Sequence, residues 1–176
     1  MKTSSRGFTL IELLFVVGII ALISAIVLAS LSVARLRAQD TAVKQEMAEL
    51  RTLMARQMAD TGSYLPIKNG GTAKFLGNTC SLGNFSTSNY ASQAKAVCDA
   101  LVKASSANNT CGPSFCVRFN LPGGNNTRFS IEAYLPYESV AAGGGNNARY
   151  LCMGSSGNSS ISTGTTWTEA GCSGNP

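Results

Sequence analysis

Two features of this sequence have side chains that could do chemistry: a single acidic residue in an apolar stretch and a set of 6 cysteines. Glu12 is the only charged residue between Phe8 and Ala34. A carboxylate there costs on the order of a few kcal/mol unless it is paired or reaches solvent. The chain has no His, which excludes His-dependent catalytic triads and His-ligated zinc. These residue types indicate charge pairing and disulfide formation, and no catalytic constellation is visible.

Glu12 has a local explanation in its own sequence neighbourhood. Thr9-Leu10-Ile11-Glu12 matches the T-x-x-E capping box that begins many helices, and a carboxylate at that position also favours the helix dipole. The alternative is that Glu12 pairs with a positive charge elsewhere, since it lies at one end of an apolar span. The residues alone leave both interpretations open.

The element that carries Glu12 is long enough to cross a membrane. Leu13 to Ala34 is a run of 22 uncharged residues, which makes a helix of roughly 33 Å against a hydrocarbon core of about 30 Å. The basic residues Lys2 and Arg6 precede it, as in a secretory signal peptide. However, the run exceeds the roughly 7 to 15 residues of such signals, and no helix-breaking residue follows it. The sequence therefore favours a retained transmembrane helix.

The helical pattern continues beyond the apolar run. Apolar residues recur at steps of 7, 4, 3, 4 and 4 and so share one helix face: Leu36, Val43, Met47, Leu50, Met54 and Met58. Gly62 is a good residue to follow a helix end, and Pro66 comes shortly after it. The sequence thus predicts one helix from Phe8 to Gly62, about 80 Å long.

Beyond Tyr64 the chain changes to short apolar runs between Gly, Asn and Ser clusters, and the helix and strands predicted within it would give an α+β arrangement. Helical spacing predicts a short helix from Tyr90 to Ser105, capped by Ser88 or Asn89. Alternating apolar residues predict three strands in an antiparallel meander, at Ser114 to Leu121, Arg128 to Leu135 and Ala148 to Met153. One face of this sheet is expected to pack on the amphipathic half of the long helix.

The stretch Gly7-Phe8-Thr9-Leu10-Ile11-Glu12-Leu13-Leu14, behind a short basic leader, resembles the class III signal sequence of type IV prepilins and pseudopilins. Gly62-Ser63-Tyr64-Leu65-Pro66 is also similar to the helix endings of that family. The resemblance implies cleavage between Gly7 and Phe8, N-methylation of Phe8, and a role in subunit assembly for Glu12, with Thr9 beside it.

The resemblance also implies a pilin-like fold, in which a long N-terminal helix packs on a small antiparallel sheet. It divides the chain into a leader (1–7), a transmembrane and filament-core helix (8–34), its amphipathic continuation (35–64) and a disulfide-containing globular head (65–176). Gly18, Ala21, Ala25 and Ala29 form a stripe of small residues suited to close helix packing, although membrane helices are commonly rich in such residues.

The resemblance implies a structural filament subunit, and because no catalytic constellation is visible, no cofactor, no bound metal and no enzymatic activity are expected. Its expected partners are other copies of itself, a prepilin peptidase and methyltransferase, an inner-membrane assembly platform, and the lipid bilayer before assembly. The expected location is the cytoplasmic membrane with the head exported, and then an extracellular pilus. The alternative is a minor pilin, or a pseudopilin of secretion or competence, that binds a surface or DNA.

The cysteines all lie in the predicted head, and on a translocated domain this indicates disulfides. Six cysteines allow 15 pairings. Pilins often clamp their C-terminal loop onto the sheet, so the resemblance favours Cys152 with Cys172, and Cys80 with Cys98 and Cys111 with Cys116 are the weaker expectations. Zinc is disfavoured because the tightest spacing is C-x4-C and His is absent.

Positive charge on the head leaves DNA binding as an option with little support. The basic residues are scattered without a run, which is typical of a solvated surface: Lys68, Lys74, Lys95, Lys103, Arg118, Arg128 and Arg149.

Overall fold

Helix α1 spans Leu10–Thr61 in the computed structural model, which describes residues 7–64, 73–75, 80, 89–106, 116–120, 128–144, 147–163 and 172. The helix runs unbroken because the segment contains no proline and only Gly18 as a weak helix former. Gly62 directly follows the last helical residue; it has a φ of 72° and donates its N–H to the carbonyl of Met58 at 2.8 Å. That left-handed φ favours glycine. The predicted long helix is therefore confirmed, with its start two residues later than expected.

The chain divides into two units, Met1–Arg35 and Leu36–Pro176. In the first unit, the described residues form the apolar part of α1. The second unit contains the rest of α1 and all the other helices and strands.

The second unit contains an antiparallel sheet of 5 strands in the order β1-β2-β3-β4-β5. The strands are β1 Ala73–Phe75, β2 Val117–Asn120, β3 Ser130–Tyr134, β4 Arg149–Gly154 and β5 Ser159–Thr163. The predicted α+β architecture is confirmed. The predicted meander of three strands was wrong in number, because it contained only β2, β3 and β4. Strand β1 is too short to show a period of two, and β5 has Ile161 as its only large apolar residue.

Two short helices accompany the sheet, α2 at Ala91–Ser105 and α3 at Pro136–Ala141. The expectation of α2 is confirmed, but its predicted cap was wrong. Tyr90 occupies the N-cap position and makes no side-chain capping bond. Instead its hydroxyl donates to the carboxylate of Asp60 on α1, so a contact between helices accompanies the start of α2. Ser88 lies outside the described residues. Helix α3 was not predicted from the sequence.

The core lies between α1, α2 and one face of the sheet. On α1, Val43, Met47, Leu50 and Met54 are fully buried, as their spacing predicted, and Leu36 and Met58 at the two ends of the face are half-buried. The remaining buried apolar side chains come mainly from α2 and from the centre of the sheet, including Val97, Leu101, Val102, Phe119, Ile131, Ala133 and Leu151.

The opposite face of the sheet carries a buried ion pair. Arg118 on β2 lies directly across from Glu132 on β3, and their side chains form a salt bridge. The Glu132 side chain is fully buried, and that of Arg118 is 12% exposed. The expectation that the scattered basic residues are solvated was therefore wrong for Arg118. A period-2 strand pattern places the residue on a face, but it does not reveal what covers that face.

The turn between β4 and β5 lies against α1. Gly157 in this turn has a φ of 93°, and a Cβ added to it would lie 2.8 Å from a guanidinium nitrogen of Arg51. Gly157 donates its N–H to the carbonyl of Gly154 at 3.1 Å, and Ser155 donates to the carbonyl of Phe129 at 3.0 Å. These contacts fix the hairpin on the second unit.

Candidate processing and assembly segment

The start of α1 is closed by a reciprocal cap between Thr9 and Glu12. The Thr9 backbone N–H and hydroxyl both donate to Oε2 of Glu12, at 2.9 and 2.8 Å, and the Glu12 N–H donates to the Thr9 hydroxyl at 3.3 Å. Leu13 makes the first helical bond, to the carbonyl of Thr9 at 3.3 Å. This is the capping box suggested by the sequence, and it satisfies donors that a helix start otherwise leaves unpaired.

Gly7 and Phe8 precede the helix and are both exposed. Phe8 is 83% exposed, and a Cβ at Gly7 would meet nothing within 4 Å. The expected leader, residues 1 to 6, lies outside the described residues. The two residues on either side of the expected cleavage point are thus both exposed.

The apolar part of α1 is exposed along its whole length. The large apolar side chains from Phe8 to Val33 are between 41% and 83% exposed. By length and composition, α1 is able to cross a membrane. An apolar surface of this extent indicates contact with lipid or with other protein.

The predicted stripe of small residues lies on this exposed helix. Gly18, Ala21 and Ala25 are exposed, and a Cβ at Gly18 would meet nothing within 4 Å. Ala29 lies in the same helix. The role of this stripe in helix packing remains an expectation.

Two of the three expected disulfides are present among the residues that the structure describes. Cys80 bonds to Cys98 with a Cα–Cα distance of 5.9 Å, and Cys152 bonds to Cys172 with a distance of 5.4 Å. The first attaches Cys80 to α2, and the second attaches Cys172 to strand β4. The third expected pairing cannot be described, because Cys111 lies outside the described residues, whereas Cys116 is buried next to β2.

Most described basic residues of the second unit lie apart from one another. Lys95 forms a salt bridge with Asp99 one turn later on α2, and Arg118 is paired with Glu132. Lys103, Arg128 and Arg149 lie on α2, before β3 and on β4 respectively. Lys68 is outside the described residues, and of Lys74 only the backbone is described. Among the described residues, no group of three or more His, Cys, Asp or Glu is arranged to hold a metal ion.

The sequence analysis did not single out Asp40, a buried carboxyl of α1 in the second unit. It is 4% exposed and accepts the backbone N–H groups of Tyr137 at 2.9 Å and Glu138 at 3.0 Å. Burial raises the pKa of Asp40 above its ordinary value of 3.8, although the two N–H groups oppose this shift. Asp40 lies between Leu36 and Val43 on the apolar face of α1. An acidic residue on that face is the sequence feature that could have identified Asp40 as a buried carboxyl.

The comparisons with known proteins agree with the N-terminal geometry. Residues 2–28 match the prokaryotic N-terminal methylation motif. Over 61 residues the chain is 39% identical to the type IV wide pilus major component PilA4 of Thermus thermophilus. That match covers 35% of this chain and 47% of the relative, so the chain spans about half the length of the curated protein it matches. No solved structure matches.

The methylation motif at the head of a long exposed apolar helix defines a class of protein, the precursors that are processed and methylated at their N-terminus. Within that class, the motif and the likeness to a major pilus component support a pilin-type subunit of the type IV pilin family.

Proposed function

We propose that this protein is a structural subunit of a type IV pilus-like extracellular filament. It is inserted in the cytoplasmic membrane as a precursor, cleaved between Gly7 and Phe8, and methylated on the Phe8 amine by a prepilin peptidase and methyltransferase. An inner-membrane assembly platform then transfers it from lipid into a helical polymer. The observation that supports this most is the methylation motif on an apolar helix whose side chains are exposed from Phe8 to Val33.

Once the helix has left the lipid, its apolar surface is buried against other copies instead of being exposed to water. Burial of apolar surface from water contributes about 25 cal/mol per Å². The small residues Gly18, Ala21 and Ala25 allow neighbouring backbones to approach closely, which increases the contact between helices.

Glu12 is proposed to neutralise the positive amine that cleavage creates at Phe8 of a neighbouring subunit. Both bonds from Thr9 end on Oε2 of Glu12, so the capping box does not use Oε1 as an acceptor. The cap and an ion pair are therefore compatible. A buried charge without its partner is costly, so the pair would penalise subunits that enter in the wrong register.

The cap and the ion pair make different predictions for two variants. Glu12→Val removes both, whereas Thr9→Ala removes the two bonds of the Thr9 hydroxyl from the cap, leaves the bond of the Thr9 backbone N–H, and keeps the charge. We expect filament yield, measured by shearing and electron microscopy, to fall strongly for Glu12→Val and little for Thr9→Ala. Both precursors should remain in the membrane and lose residues 1–7, as checked by mass spectrometry of the N-terminus.

Equal filament yield from Glu12→Val and wild type would contradict the ion pair, and equal losses from both variants would assign Glu12 to the cap alone. A retained Met1, or cleavage after Ala34, would contradict the filament proposal itself. Abundance in sheared filaments separates a major subunit from a minor pilin or pseudopilin. The similarity to a major pilus component favours the major subunit.

A further inference from the structure

Helix α3 begins next to α1 shortly after the apolar run ends. Asp40 accepts the backbone N–H groups of Tyr137 and Glu138, at 2.9 and 3.0 Å, which fixes the start of α3 on α1. The uncharged run ends at Ala34, so Asp40 lies about 9 Å further along the unbroken helix. Measured along α1, the first turn of α3 is therefore close to the end of the apolar run.

The side chain of Tyr137 extends back along α1 towards that end. The Tyr137 backbone is bonded to Asp40, whereas its hydroxyl accepts a bond from the guanidinium of Arg37 at 2.9 Å. The same guanidinium lies 4.8 Å from the centre of the Tyr137 ring, as in a cation–π contact. Arg37 is exposed and Tyr137 is half-buried. An aromatic ring with a polar tip is typical of the level at which membrane proteins meet the lipid headgroups.

Val140 adds an exposed apolar side chain next to Tyr137. It is 57% exposed, and among the described residues of the second unit Val140 and Ile161 are the only large apolar side chains that are exposed. Val140 follows Tyr137 by three positions in α3, so the two side chains are neighbours on the helix surface. Glu138 is two positions from Val140 and faces another direction, where it lines a cavity with Ile161. One side of α3 therefore places two apolar side chains beside a cation.

The thickness of a bilayer sets the depth of this side of α3. The uncharged run makes a helix of roughly 33 Å, which fills a hydrocarbon core of about 30 Å. The headgroup layer extends about 5 to 7 Å beyond that core on each side. Arg37 is about 4.5 Å past Ala34 along α1, so it falls within that layer. The hydroxyl of Tyr137 is bonded to Arg37 and lies at the same level.

We propose that Arg37, Tyr137 and Val140 form a membrane-contact surface, which lies against the bilayer while α1 anchors the subunit there. Val140 and the ring of Tyr137 enter the headgroup layer, and Arg37 contacts anionic lipid headgroups, which complement its charge. Because α1 passes through the same layer, this surface continues the contact of the helix with lipid. The membrane-contact surface requires that α1 spans the membrane, which is part of the proposed function.

The test is NMR of the full-length protein in nanodiscs of phosphatidylcholine and phosphatidylglycerol, with one copy in each disc. Nuclear Overhauser cross-peaks between protein and lipid arise only from protons in close contact. We expect cross-peaks from the Val140 methyl groups and the Tyr137 ring to headgroup and glycerol protons. Ile161, the matched exposed apolar residue, should give none. Ile23 in the apolar run is 54% exposed and should give cross-peaks to the acyl chains if α1 is inserted.

Two arginine variants test the part played by charge. Arg37→Gln removes the cation beside Tyr137, and we expect the lipid cross-peaks of Tyr137 and Val140 to weaken by about half or more. Arg56→Gln, a matched change at an exposed arginine further along α1, should leave them unchanged. Equal effects of the two variants would overturn the membrane-contact surface, because the cation next to Tyr137 would then have no specific part in it.

The cross-peaks separate a failure of this surface from a failure of the proposed function. Cross-peaks from Ile23 without any from Val140 would overturn the membrane-contact surface alone. The absence of cross-peaks from Ile23 would mean that α1 is not inserted, and both proposals would fail. In discs with two differently labelled copies, cross-peaks from Val140 to the second copy in place of lipid would assign the surface to a protein contact and overturn its contact with lipid.

Discussion

At the scale of single residues, Arg118 and Glu132 form a buried ion pair in the second unit. They are direct cross-strand partners in a part of the sheet where Glu132 is fully buried. A buried ion pair contributes little compared with a well-packed apolar pair, because both charges lose their hydration. Removal of one partner is different, since it takes the opposite charge away from a carboxylate or guanidinium that stays buried.

We therefore expect Arg118→Met to lower the free energy of unfolding by about 3 to 5 kcal/mol. The double variant Arg118→Met, Glu132→Leu should recover most of that loss. Urea denaturation followed by aromatic circular dichroism measures both. A single variant as stable as the wild type would mean that Glu132 retains another source of compensation.

At the scale of elements, α1 is one continuous helix whose apolar first part and amphipathic second part differ in chemical character. In the second unit, its apolar face supplies the centre of the core, and Met47, Leu50 and Met54 are fully buried there. Helix stability in such a segment comes mainly from burial of this face rather than from intrinsic propensity.

Leu50→Ala should consequently destabilise the second unit by about 2 to 5 kcal/mol, because it removes buried methyl groups and leaves a cavity. The matched control is Glu49→Ala, at an exposed neighbouring position of the same helix, with an expected change of about 0.5 kcal/mol or less. The midpoint of urea denaturation separates the two. Similar midpoints for both variants would contradict the assigned core face.

Periodicity predicted the elements that are long or strongly alternating. Helix α1, helix α2 and the strands β2, β3 and β4 all have a clear apolar repeat, and each is present in the structure. The sequence did not predict α3, which has 6 residues, and its start depends on Asp40, 97 positions away from Tyr137. Local patterns cannot reveal an element whose capping group is remote in the chain.

The N-terminal site was more predictable than the buried polar groups. Thr9 and Glu12 are three residues apart, so the capping box is visible in the sequence. Arg118 and Glu132 meet only because two strands pair in a particular register. Asp40 interrupts an apolar face, and the sequence alone does not distinguish a buried carboxyl there from an irregularity in the repeat.

At the scale of the whole molecule, the disulfides connect segments that the sheet and helices alone do not fix. Cys152 to Cys172 closes a loop with a separation of 20 residues, and Cys80 to Cys98 closes one of 18 residues. Ser160 adds a bond from its hydroxyl to the carbonyl of Cys172 at 2.7 Å. Cys80 and Cys172, which lie outside the helices and strands, are therefore held to α2 and β4 by covalent bonds.

Replacing either disulfide by two serines should cost about 3 kcal/mol in free energy of unfolding. Since the loops are nearly equal, the chain-entropy contributions differ by only about 0.1 kcal/mol. Denaturation of the two double variants in parallel tests this. A clearly larger loss for Cys152 and Cys172 would mean that native contacts around Cys172, rather than loop closure, account for the excess.

The hairpin between β4 and β5 has a practical consequence for the display of foreign peptides on this protein. Ser156 and Asn158 are exposed, whereas Gly157 has a φ of 93° and lies against Arg51. Any other residue at Gly157 would have a backbone strain of about 1 to 2 kcal/mol. An epitope tag or a fluorescent label is therefore best placed at Ser156, with Gly157 left unchanged.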